Sequence, residues 1–108
     1  MSRVNIVVHV PLEVADAVRE ALGRAGAGLI GKYSNCSFSF VGTGRFTPID
    51  GAQPAIGMIG QPEAVSEESI EVVCMRSDAK RILESLKAVH PYEEPAYEIY
   101  QLIDEDEL

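Results

Sequence analysis

The chain is poor in the residues that usually build active sites and metal centres. Its 108 residues include two histidines, His9 and His90, and two cysteines, Cys36 and Cys74. No CxxC pair occurs, and the cysteine spacing fits no zinc framework. Both thiols read as small buried hydrophobes of a reducing compartment. There is no GxSxG and no GxxxxGK[ST], so neither a hydrolase nucleophile elbow nor a phosphate loop is present. GAGLIG (26–31) follows a helical pattern rather than a strand, which breaks the dinucleotide fingerprint. No apolar run is long enough to cross a bilayer, and no signal-peptide pattern appears. A cytoplasmic protein without a membrane partner is expected.

Charge is missing in blocks. No acid stands between Ala21 and Ile49, where Arg24, Lys32 and Arg45 lie. No base stands between Gln61 and Val73, where Glu63, Glu67, Glu68 and Glu71 lie, and none follows Lys87. The net charge of −8 argues against a nucleic-acid partner, which needs a basic footprint. The acids read mainly as solubilising.

What is present is clear periodicity. Hydrophobic residues make up 46% of the chain, enough for one core. Residues 4–10 alternate and predict a strand, with Val4, Ile6, Val8 and Val10 on one face. Pro11 is placed to open a helix with the stripe Leu12, Ala15, Val18, Leu22 and Ala25. A second strand is expected over 35–41, with Cys36, Phe38 and Phe40 on one face. Five glycines and three prolines between Gly42 and Pro62 predict a long loop with short extended pieces. A third strand is expected over 69–75. Ser77 would cap a second helix with the stripe Ala79, Ile82, Leu83, Leu86 and Val89, stopped by Pro91. The fourth strand is expected over 96–103.

The order β-α-β-β-α-β predicts an α+β, ferredoxin-like (split βαβ) domain over 1–103, followed by a solvated acidic tail, 104–108. Its four-stranded antiparallel sheet would carry both helices on one face. The other face, with Val7, Val41, Val73 and Met75, would then seek a partner, most simply further copies of the chain. In this topology His9, the 42–62 loop and His90 meet at one edge, and the 26–34 loop lies at the other.

The glycine-rich segments GAGLIGKYSNCSFSFVGTGRF and PIDGAQPAIG, then IEVV and finally HPYEEPAYEIYQL, resemble the middle domain of the YqfO family, also called Nif-three-like or NGG-one-interacting-factor-like proteins. The HPYE word also resembles CutA proteins at the corresponding place. The resemblance covers roughly Val4 to Leu102. It implies a CutA- and PII-like fold and a homotrimer. The family's two-metal site draws its ligands from flanking domains, which a stand-alone middle domain would lack, so no catalytic residue and no metal ligand of that site transfers. The function expected is a non-enzymatic regulatory or ligand-binding module for a small anionic ligand or a protein partner. The candidate ligand-binding residues are Lys32, Tyr33, Gly42, Gly44 and Arg45, because exposed loop amides beside a base suit an anion. The alternative is a divalent-metal (copper or zinc) binder or metal-tolerance protein using His9 and His90. No cofactor is otherwise expected. Each histidine also has a structural reading, His90 as a helix terminator favoured by the dipole and His9 as a polar residue at a subunit seam.

Overall fold

A computed structural model describes residues 2–108. Its elements run β1 (Arg3–Pro11), α1 (Ala15–Arg24), β2 (Phe38–Phe46), β3 (Glu63–Met75), α2 (Arg76–Val89) and β4 (Tyr97–Gln101). One antiparallel sheet has the order β2-β3-β1-β4. This is the ferredoxin-like arrangement. Burial alternates regularly along β1 and along the second half of β3, from Ile70 to Met75, the two central strands. Val4, Ile6, Val8 and Val10 face Ile70, Val72 and Cys74, and both sets pack under Val18, Leu22, Ile82 and Leu86 of the helices. Burying these branched side chains contributes roughly 1.5–3 kcal/mol each. Among the described residues, no helix is long and apolar enough to cross a membrane.

Several boundaries differ from expectation, each for a physical reason. Pro11 is the last residue of β1, paired with Glu67, and does not open the helix. A 3-10 turn, Leu12–Val14, intervenes and leaves Leu12 exposed. Ser77 does not cap α2. The helix already begins at Arg76, and Met75 at its N-cap makes no side-chain capping bond. Pro91 does end that helix, because it forces His90 into extended backbone. Val41 lies on the helix side of the sheet, opposite Glu68, and not on the open face. Cys36 precedes β2 and is only half-buried, whereas Cys74 is buried as expected. The acidic end is not wholly free of structure: Arg3 Nε donates to Asp104 at 3.1 Å, and Glu105–Glu107 form a 3-10 turn.

The largest difference is the 42–62 segment. β2 continues through Gly42, Thr43 and Gly44 to Phe46, and β3 begins at Glu63. β1 stops pairing at Glu67, so Thr43–Phe46 and Glu63–Ser66 form a two-stranded arm beyond the sheet. The arm makes the molecule 49 Å long. The radius of gyration, 15.2 Å, exceeds the roughly 13 Å of a compact chain of this size.

Candidate functional site

The arm, the loop at its tip and the corner after α2 enclose a cleft of about 430 Å³. That volume lies within the range of small-molecule sites, roughly 300–1,000 Å³. The corner is built first. The His90 ring is buried, and its Nε2 lies 2.8 Å from the main-chain oxygen of His9. A carbonyl only accepts, so Nε2 carries the hydrogen. Nδ1 then accepts from the Tyr92 main-chain N–H at 3.2 Å. Both ring nitrogens are therefore engaged, and the corner is pinned to the end of β1. His9 adds a second pin by donating its N–H to the Ala96 oxygen at 3.1 Å.

Tyr92 leans from this corner onto the arm. Its ring sits 5.0 Å from His90 and 6.2 Å from Phe46. The Tyr92 hydroxyl is buried and makes no well-formed hydrogen bond. Burial first, then the Glu67 carboxylate, and more weakly Glu13, push this phenol well above its usual value of 10. Glu67 is nine-tenths buried and lies across Gly44, where a Cβ would fall on its carboxylate. The tip loop is tied down as well: the Gln53 N–H donates to Glu93 Oε1 at 2.9 Å.

The sequence candidates divide among these places. His9, Gly44 and Arg45 line the cleft. Gly42 stands on β2 with open space at its Cβ position. Lys32 and Tyr33 lie at the opposite edge in an exposed loop, where Ile30 and Tyr33 form a bridge. The five proposed anion-binding residues thus do not form one site. The two histidines do meet at one corner, but through the His9 main chain. Among the described residues, no group of three or more His, Cys, Asp and Glu side chains could hold a metal ion. Sequence reasoning missed Glu67, Phe46 and Tyr92 as cleft residues. The bend over 91–95 brings both Glu93 and Glu94 to the cleft as well.

A second hollow of about 410 Å³ lies between α1 and the start of β2, lined in part by Arg19, Arg24 and Cys36. Its two arginines are already paired, Arg19 with Asp16 and Glu68, and Arg24 with Glu20.

No family model matches the chain. It is 50% identical over 97 residues to the GTP cyclohydrolase 1 type 2 homolog of Mycobacterium tuberculosis, covering 90% of this chain and 26% of that protein. The chain thus spans about a quarter of the length of the curated relatives it matches. A Bacillus cereus protein related to NIF3 superposes with a TM-score of 0.84 at 43% identity, over 95% of this chain and 26% of that one. The PII-like protein CutA from Nostoc sp. PCC 7120 superposes with a TM-score of 0.67 at 13% identity, over all of this chain and 86% of that one. That last likeness is one of fold. The chain is accordingly a homologue of one quarter-length segment of the NIF3/YqfO-related proteins, and it has the fold of the CutA- and PII-like proteins.

Proposed function

We propose that the chain is a non-enzymatic module that binds a small ligand in the arm–corner cleft and works as a homo-oligomer, most simply a trimer. The observation that carries this reading is the cleft itself. Three segments distant in sequence converge on it and are cross-tied by His90, Tyr92 and Glu93. A site pre-formed in this way limits the ordering cost of binding. The arm adds a means of response. A two-stranded ribbon is marginal alone, so its order depends on what fills the space beneath it. Ligand occupancy would then change the arm's stability, which suits regulation better than turnover.

The test is a small-molecule panel screened by backbone amide NMR on the wild type and on Ala55→Trp, which fills the cleft. A ligand that shifts the Gly44, Phe46 and Tyr92 amides in the wild type and not in the variant supports the reading. Ligands that bind both proteins equally, or turnover of any panel member, would remove it.

A further inference from the structure

The cleft's charge is opposite to the one its glycines and Arg45 suggested. Three carboxylates, Glu67, Glu93 and Glu94, line it together with His9 and Arg45, and Arg45 leaves β2 on the opposite side from Gly44. Glu93 is partly satisfied by the Gln53 N–H. Glu67 is different in kind. It is only 9% exposed, and among the described residues it forms no ion pair. A carboxylate so far removed from water is costly unless a positive or hydrogen-bonding group faces it. The group that faces it is the Tyr92 hydroxyl, a neutral donor whose hydrogen bond to the carboxylate is not well formed. Gly44 leaves the room that this carboxylate occupies. Two neighbouring polar groups with unused acceptor capacity therefore sit at the floor of a largely apolar cleft.

Resting on the reading of this cleft as a ligand site, we propose that it takes a small organic cation, a primary ammonium on an apolar or aromatic body. The ammonium would sit on Glu67, with the Tyr92 oxygen as second acceptor. A compact –NH3+ has three donors and no acceptor, so it can use the remaining lone pairs of the Glu67 carboxylate and of the Tyr92 oxygen while the Tyr92 hydrogen stays directed at Glu67. The Phe46 and Tyr92 rings, 6.2 Å apart, supply faces that attract a cation and cover its body. An anion would instead face Glu67 at short range, with Arg45 on the other side of β2 from Gly44. A bare metal ion is a poor match, since the carboxylates do not converge into a ligand set.

The experiment uses matched probes on the full chain: phenethylamine, phenethyl alcohol, 3-phenylpropionate, ATP and zinc, each titrated while the Gly44, Phe46, Glu67 and Tyr92 amides are followed by NMR. Phenethylamine is expected to shift these amides saturably and to bind at least about tenfold tighter than the alcohol, from the value of a hydrogen bond to a charged group. The carboxylate and ATP should leave them unmoved. Glu67→Gln should erase the preference for amine over alcohol and, by removing a buried carboxylate without an ion-pair partner, raise Tm. A lowered Tm in Glu67→Gln, or an unchanged preference, would overturn the assignment. So would tighter binding of the carboxylate, ATP or zinc at the same amides, though the cleft would survive as a ligand site. If no probe moves these amides, the cleft reading falls together with the cation assignment.

Discussion

At the scale of single residues, two glycines of similar appearance do different work. Gly28 has φ of +82°, and an added Cβ would strike the main chain of Cys36. Its N–H and oxygen also hold Val73 and Cys36, which fixes the start of β2 against the sheet. Gly28→Ala should therefore cost about 2 kcal/mol or more, from the combined strain and backbone displacement. Gly44 is not in the left-handed region, and its added Cβ would meet only the far end of the Glu67 side chain. Gly44→Ala should cost less than about 1 kcal/mol while moving the carboxylate off the cleft floor, so binding and stability should separate. Urea unfolding of the two variants checks the contrast, and equal losses would refute it. Tyr92 gives a pH test. Its folded phenol titrates above the unfolded value of 10, so above that pH the unfolded chain releases a proton that the folded chain keeps. Stability then falls as pH rises. Buried Cys74, raised from 9 chiefly by burial, adds in the same direction. Unfolding measured from pH 8 to 11 should show a shallower alkaline decline in Tyr92→Phe than in the wild type, and identical slopes would count against this account.

At the scale of elements, what the sequence revealed follows burial. β1, the second half of β3 and both helices bury one regular face, so their periodicity carries them. The arm escapes because none of its residues is fully buried: Thr43–Phe46 and Glu63–Ser66 are only exposed or half-buried, and glycine, glutamate and threonine among them blur the hydrophobic alternation. The meeting of His9 and His90 was legible from topology alone. Its chemistry was not, since the His9 carbonyl that engages the His90 ring carries no sequence signature. Glu67 was hidden in a run of acids that reads as solvated surface, and its burial depends on a glycine 23 positions earlier in the chain. The same logic predicts how the arm is held. Phe46 packing on Tyr92 and the Gln53–Glu93 bond are its ties to the body. Phe46→Ala should raise hydrogen-exchange rates of the Thr43–Phe46 and Glu63–Ser66 amides by about tenfold or more, a local loss of about 1.4 kcal/mol, and leave β1 protected. Uniform acceleration across the sheet would show that the arm is not a separate unit.

At the scale of the whole molecule, the sheet has one covered face and one open face. The open face is set by register. Phe38 lies opposite Glu71, Phe40 opposite Ser69, and Asn5 lies between Val73 and Tyr100. Phe38 and Phe40 are more than half exposed, with ring centroids 6.4 Å apart. Val7, Val73 and Met75 extend this apolar surface across the central strands. Interspersed Asn5, Glu71 and Glu98 give it polar groups that could fix a register, and Asn5 Nδ2 already donates to Glu71 at 3.1 Å. A surface of this kind on a chain with a small core is well suited to self-association. If the open face is the subunit interface, light scattering at micromolar concentration should give three times the 11.7 kDa chain mass. Phe40→Glu would place a carboxylate near Glu71 in the middle of that interface. It should yield folded monomer, with circular dichroism unchanged, because Phe40 packs on nothing in the helix-side core. A wild type of monomer mass would remove the oligomer from the proposal. A Phe40→Glu protein that stays oligomeric would move the interface to another surface.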